Sequence, residues 1–434
     1  MRRVAVIGSG IAGLAAARML GSDAQVTLFE AAAWFGGHTH TVDLTLDGMT
    51  HGVDTGFLVF NDKTYPKLVR LLADLGVETA DSDMSFSVQA KTLNLEWSGT
   101  SLDGVFAQRA NLFRPQFWAM LGEILRFNHL TTEQAHGHRP ETPDPSMGEF
   151  LALHRFSTMF RDAYFLPMIG SIWSCPTQQM LRFPMATMIR FCHNHGLLQI
   201  TGRPQWRTVR GGARNYVKRM LEAIRDRRAS TPVRRVRALA DGSVEVTTDS
   251  GSESFGSVVM ACHSDQSLAL LADASAAERE TLGAIRFHAN RAVLHTDASV
   301  LPRRRRAWAA WNYERADFRQ REGTGVCLHY LINRLQPLPF GRPVIVSLNP
   351  IEEPVAGTVH GDFHYTHPIF DKEAIAAQQR LTRIQGVRNI WFCGAWTGYG
   401  FHEDGLACGL EVAERIAARW RGLEVTPTLA LAAA

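Results

Sequence analysis

The sequence predicts an α/β fold into which a second, α+β domain is inserted. Three observations predict it: an opening strand, glycine turn, helix and strand; a length beyond what one core usually serves; and a change of texture in two later stretches. In the opening unit, Val4-Ala5-Val6-Ile7 is a short apolar run that breaks into Gly8-Ser9-Gly10-Ile11-Ala12-Gly13, the pattern G-x-G-x-x-G. Leu14 to Leu20 are strong helix formers, Gly21 can close the helix, and Gln25 to Phe29 reads as a second strand ending at Glu30. Gly8 permits the tight turn, Gly10 lets backbone approach a pyrophosphate, and Gly13 lets helix and strand pack closely. The helix N-terminus then offers free amides and a positive dipole end to phosphates. Glu30 lies 30 − 8 = 22 positions after the first glycine, near the roughly 20 expected for an acid that holds a ribose hydroxyl. An acid there disfavours a 2′-phosphate, so FAD or NAD is expected rather than NADP.

The chain has 434 residues, past the roughly 250 to 300 at which single cores tend to split, so two domains are expected. Net charge is 46 − 42 = +4 with histidine neutral, too little to argue for nucleic acid. Local basic patches stand at Arg303 to Arg306 and from Arg225 to Arg237. They read first as solvated surface, and otherwise as attraction for an anionic substrate or lipid headgroup. Six cysteines are scattered without a C-x-x-C pair, which fits a reducing compartment. No apolar run approaches the roughly 20 residues of a membrane span. The expectation is a cytoplasmic protein, with peripheral membrane contact left open.

After Glu30 comes Ala31 to Thr39, containing Gly36-Gly37-His38-Thr39, and then Gly52-Val53-Asp54-Thr55-Gly56-Phe57. The series GSGIAGL, E, GGHTHT and GVDTGF resembles the N-terminal part of the flavin-containing amine oxidase and phytoene desaturase superfamily. That resemblance implies a Rossmann-like FAD-binding domain and FAD in an extended conformation. The family usually has G-G-R at the second motif, where this chain has His38, which argues against a plain monoamine oxidase. The resemblance also implies that Thr55, Gly56 and Phe57 belong to the cofactor site, and that Val233, in Thr231 to Val236, is the position whose backbone meets the adenine. Ser257 to His263 matches the family's central strand, with His263 in place of the usual proline.

Between these segments lies the inserted region. Tyr65 to Leu75 has helical apolar spacing. From Phe86 to about Arg203 strand-like Phe86 to Val88 and Leu93 to Leu95 precede aromatic-rich helical stretches at 113–130 and 156–173. Phe106, Phe113, Phe117, Trp118, Leu121, Leu125 and Phe127 could form an amphipathic, membrane-facing surface, core packing being the commoner reading. The second piece should contribute an antiparallel sheet over a cavity, with strands near 292–295, 307–311, 326–331 and 344–348. The expected division is 1–75, 207–275 and 386–425 for a discontinuous FAD-binding domain, 76–206 and 276–385 for the substrate domain, and 426–434 as a frayed tail. Histidine pairs at 38/40, 193/195 and 364/367 read as structural rather than metal-binding.

Near the C-terminus, Asn389 to Phe392 is a buried strand opening into Gly394-Ala395, and His402-Glu403-Asp404-Gly405-Leu406 runs into a helix expected from Ala407 to Arg419. This resembles the family's last motif, so Gly394, Ala395, Gly405, Leu406 and Ala407 are implied cofactor contacts. A helix N-terminus there would stabilise the negative charge of a reduced flavin. No second G-x-G-x-x-G unit follows a strand, so electrons should come from the organic substrate rather than from NADPH. His402, Glu403 and Asp404 are the side-chain candidates for catalysis, and helix capping by Asp404 is the competing role. GYGFHEDGL, HSDQSL and HYTHPIFD resemble a bacterial subgroup of predicted flavin-containing amine oxidoreductases linked to fatty-acyl modification. The expected activity is therefore FAD-dependent removal of hydride from a C–H bond of a small-molecule or lipid substrate, a fatty-acyl desaturation foremost. Amine oxidation and a non-redox isomerase or binding module are the alternatives.

Overall fold

Apolar β-branched runs that alternate with helices bury both faces of a strand, and such strands pair in parallel. The computed structural model, which describes residues 2–135, 144–197, 202–315 and 326–423, contains such a sheet. Its five parallel strands lie in the order Asp226–Arg228, Gln25–Phe29, Arg3–Ile7, Ser257–Met260, Ile390–Phe392. Val6 pairs with Leu28 on one side and Val259 on the other, so three distant segments share one centre. One face carries helix Ile11–Leu20 and helix His402–Trp420. These two helices approach so closely that a Cβ at Gly409 would lie 2.2 Å from the Ala12 carbonyl. The other face packs on Leu282, Ala374, Ala377 and Trp396.

The second sheet has seven strands in the order Val359–Pro368, Phe287–His295, Ile345–Leu348, Cys327–Leu331, Trp311–Glu314, Phe86–Ala90, Leu95–Ser98. Its pairs are antiparallel except Trp311–Glu314 with Phe86–Ala90, so the expected antiparallel sheet is in fact mixed. One face is apolar and lies under the aromatic helices Pro115–Ala135, Leu166–Trp173, with the π-helical turn Arg161–Phe165 leading into it, and Met185–Asn194. A short sheet of Phe60–Asn61, Trp206–Val209 and Thr79–Ser82 joins the two regions.

Several local expectations shift. The strand expected at 307–311 is a 3-10 turn at Arg305–Ala307 followed by strand Trp311–Glu314. The reason is tertiary: Asn312 accepts the Ala309 amide and Trp308 donates its indole N–H to the Pro302 carbonyl, fixing a bend. The strand expected at Leu93 to Leu95 starts at Leu95, because Asn94 turns the chain in the left-handed region (φ 44°). Strand Val359–Pro368 went unforeseen because its alternation of Val359, Phe363 and Tyr365 is diluted by Gly361 and three histidines, yet it pairs along nearly the whole of Phe287–His295. The C-terminal helix begins at His402, five residues before the expected start. The 426–434 tail lies outside the described residues.

Candidate cofactor and active site

The glycine turn needs its glycines for three different reasons. Gly8 sits at φ +103°, and a Cβ there would lie 2.7 Å from the Ala261 carbonyl; a Cβ on Gly13 would lie 1.9 Å from the Gly8 carbonyl. Gly10 has ordinary φ of −60°, and a Cβ there would meet nothing within 4 Å. Neither strain nor packing within the chain calls for glycine at position 10, so the open space beside it is where a ligand's backbone contact belongs. Ser9 is buried; its amide donates to Glu30 Oε2 at 3.0 Å, and its hydroxyl donates to the same oxygen while accepting the Gly36 amide at 3.0 Å. Glu30 Oε1 accepts the Ala32 amide at 2.9 Å. A carboxylate offers about four acceptor sites, so one remains open on Glu30.

The stretches named from sequence converge on this turn. A Cβ on Gly37 (φ +58°) would lie 3.1 Å from Gly10 Cα, and one on Gly56 would lie 2.2 Å from the His38 carbonyl. Phe57 donates its amide to that carbonyl at 2.8 Å. Thr231 donates its amide to the Glu30 carbonyl at 2.8 Å, which brings the strand containing Val233 alongside. From the other end of the chain, Gly405 is packed so that a Cβ would lie 2.9 Å from Ile11 Cγ2 and 3.5 Å from the Ala395 amide nitrogen. Gly394 closes its strand just before the 3-10 turn Ala395–Thr397, Leu406 is buried against the first helix, and Ala407 is half-buried.

The three catalytic candidates lie within the first turn of helix His402–Trp420 rather than ahead of it, and they part company there. Glu403 accepts the amides of Lys67 and Leu68 at 2.9 and 3.0 Å, capping helix Pro66–Asp74. Asp404 accepts the amides of Tyr399 and Phe401 at 3.1 and 2.9 Å, and burial pushes its carboxyl up to about 7. His402 stacks on Phe57, ring centroids 3.6 Å apart, and its Nε2 lies 2.9 Å from Thr39 Oγ1 and 3.1 Å from the Tyr216 hydroxyl. Burial, with His38 nearby, lowers its pKa to about 3.

Around His38 gather residues that the sequence never linked. His263, His367 and Tyr365 rings lie 6.0, 5.3 and 5.3 Å from it. His38 donates a hydrogen bond to the Thr366 backbone, and its Nε2 is buried with no partner among the described residues, so Nδ1–H is the donor and Nε2 holds a free lone pair. Burial, with His263 beside it, lowers His38 to about 4. Burial also lowers His263 to about 4 and His367 to about 3. Thr366 Oγ1 lies 3.1 Å from His263 Nδ1, Asn290 donates to His367 Nδ1 at 2.8 Å, and Thr55 and His40 both meet the Tyr365 hydroxyl. Strand alternation could have paired Tyr365 with His367 on one face; nothing in the sequence could have brought His263 to them. His195, by contrast, bonds the Phe191 carbonyl and stacks on that ring, a packing role.

An orphan acceptor, a glycine that only a ligand requires and a helix N-terminus form one site suited to an extended dinucleotide. The family model described as flavin containing amine oxidoreductase matches residues 11–332. The chain belongs to that family, and it is an FAD-dependent oxidoreductase. Solved structures share the fold at low identity. Cyclohexylamine oxidase from Brevibacterium oxydans is 15% identical at TM-score 0.70, covering 97% of this chain and 99% of that one. Putrescine oxidase bound to putrescine is 16% identical at TM-score 0.69 (96% and 99%), and a CLA-producing fatty acid isomerase from P. acnes is 14% identical at 0.64 (95% and 98%). No curated protein matches the sequence. Among the described residues no helix is long and apolar enough to cross a membrane.

Proposed function

We propose that the enzyme takes a hydride from a C–H bond of an apolar substrate, and that this substrate is a fatty-acyl chain or lipid that leaves desaturated. The observation that carries the choice is the chemistry of the cleft. His38, His263, His367 and His402 are all held neutral by burial. The two carboxylates that follow His402 are committed to backbone amides. An ammonium group would meet no compensating charge among these side chains, whereas an acyl chain asks only to be desolvated. The broad aromatic cluster under the second sheet is compatible with such a chain.

In this reading the turn Gly8 to Gly13 and Glu30 hold the diphosphate and ribose of FAD, and the Val233 backbone meets the adenine. Gly36 to Thr39, Thr55 to Phe57, Gly394, Ala395 and Gly405 to Ala407 surround the flavin half. FAD, when bound, supplies the hydride acceptor. His38 Nε2 offers the free lone pair that accepts a hydrogen bond or the departing proton. The stacking of His402 on Phe57, with its bonds to Thr39 and Tyr216, keeps one wall rigid. Glu403 and Asp404 keep the two helix termini in place, and His402 alone of the three borders the cleft chemistry.

The scaffold itself does not choose between substrates, since amine oxidases and a fatty acid isomerase share it. Family membership keeps amine oxidation as the second reading. Anaerobic mixing of the yellow holoenzyme with phospholipids, free fatty acids and a panel of amines separates them. Bleaching of the flavin by an acyl substrate, with a product two mass units lighter, is expected. Bleaching by amines alone, with hydrogen peroxide on admission of air, would overturn the acyl reading.

A further inference from the structure

The fold brings together two surface features that lie far apart in sequence. Phe113 is 85% exposed and Leu102 is 79% exposed, and Leu112, Trp118 and Leu125 are exposed as well. Helix Pro115–Ala135 turns Phe117, Met120 and Phe127 into the core, so the exposed face is the opposite one. That face carries Trp118, Ala119, Gly122, Leu125, Arg126 and His129, and its one exposed acid, Glu133, lies in the last turn within 3.4 Å of His129. Trp118 is anchored through its indole N–H to the Leu112 carbonyl at 3.0 Å and by contact with the Phe106 ring at 5.2 Å.

The basic run Arg303 to Arg306 docks against the same edge. Arg306 reaches Asp103 at 3.4 Å, Arg109 pairs with the same Asp103, and Arg304 reaches Glu96 at 2.9 Å. All four arginines of the run are exposed, as is Arg109, while Asp103 is the one exposed acid among these pairs and Glu96 is buried. A protruding apolar set rimmed by surplus positive charge matches a bilayer bearing anionic headgroups: the rings enter the acyl boundary and the guanidinium groups meet phosphate.

We propose that this surface, Leu102, Phe113 and Trp118 rimmed by Arg303, Arg305 and Arg109, seats the enzyme on an anionic lipid surface. The proposal rests on the acyl-substrate reading for its purpose, since such a substrate resides in a membrane, but its evidence is separate. The test is co-sedimentation of the holoenzyme with vesicles of phosphatidylcholine alone and of phosphatidylcholine with phosphatidylglycerol. Binding to the anionic vesicles is expected, weakened by salt. The pair Arg303→Glu and Arg305→Glu should reduce it by roughly tenfold or more, and Phe113→Ser with Leu102→Ser should abolish it. Light scattering of the same samples reads the competing use of the surface. A dimer that Phe113→Ser dissociates, without vesicle binding, would overturn the proposal, as would wild-type protein that ignores both kinds of vesicle. Flavin bleaching by detergent-dispersed substrate is read in parallel. It should survive in all these variants, and its absence in the wild type would strike at the acyl reading without touching the vesicle result.

Discussion

Two histidine-rich clusters are buried in this molecule, and they differ in whether their hydrogen bonds close. In the second sheet, Lys91 Nζ meets Glu314 at 2.8 Å, Glu314 meets His329 Nε2 at 3.0 Å, and His329 Nδ1 meets Ser347 Oγ at 2.6 Å. Ser347 in turn meets His295 Nε2 at 2.6 Å, and His295 Nδ1 accepts the Asp297 amide. Each ring nitrogen there has a partner. Glu314, Cys327 and His329 have the donor set of a metal site, but the Lys91 ammonium already compensates the carboxylate. In the cluster around His38, its Nε2 has none among the described residues. A closed network stabilises and specifies a sheet, whereas an open one marks a place where another molecule completes the bonding.

The electrostatics follow the same division. In the cleft, burial keeps the imidazoles neutral. In the sheet, burial works against charge on His329, but Cys327 and Glu314 beside it prevail and hold it up to about 9, with Glu314 held below its usual range. A charged pair in one cluster and neutral rings in the other are consequences of partners, since both sets are enclosed.

The sharpest way to break the contrast is to open the closed network. His329→Leu leaves Glu314 with Lys91 alone and removes the bond to Ser347, so chemical denaturation should show a loss of about 3 kcal/mol. A variant as stable as the wild type would show that the network does not hold the sheet. Next in size, Glu30→Ala should weaken FAD retention by roughly one to two decades, the worth of a charge-assisted bond of about 1.5 to 3 kcal/mol, measured by flavin release on dilution. Closing the open cluster is the complementary change: His38→Leu removes the unpaired acceptor, and should weaken FAD or substrate binding by about tenfold while leaving the melting temperature within a few degrees. Glu403→Gln should cost about 1 kcal/mol of stability through the cap on helix Pro66–Asp74 yet retain the flavin spectrum and turnover; loss of turnover at unchanged stability would return Glu403 to the chemistry.

The smallest effect is in pH. His329 has a folded pKa raised above its unfolded value of about 6.5, so the stability it contributes is complete below that value and is lost as pH rises through about 9. Wild-type melting temperature should therefore fall between pH 7 and 10 by more than that of His329→Leu, a difference calorimetry can read.

The two regions were also unequally legible. In the first, strand boundaries at Arg3–Ile7, Gln25–Phe29 and Ser257–Met260 follow from apolar runs broken by glycine, because a strand buried on both faces leaves a continuous apolar signature. The strand Asp226–Arg228 escaped that logic: it is three polar residues at the sheet edge, where pairing alone makes it a strand. In the second, Val359–Pro368 and the parallel pairing of Trp311–Glu314 with Phe86–Ala90 depend on segments some 70 and 220 positions distant, and no local pattern carries them.

By itself the sequence determined the glycine turn, the acid at position 30 and the order of the segments that converge on them, because each is a local demand of backbone geometry or spacing. Tertiary structure decided which side chains meet. It paired His402 with Thr39 and Tyr216, set His263 and His367 around His38, and gave Glu403 to a helix more than 300 residues upstream. It also divided the aromatic helix 115–135, sending Phe117 and Phe127 into the core and leaving Trp118 and Leu125 outside. The physical reason is that a hydrogen bond, a stacked ring or a burial depends on what the fold places opposite a residue, and that neighbour is fixed only when the sheets close.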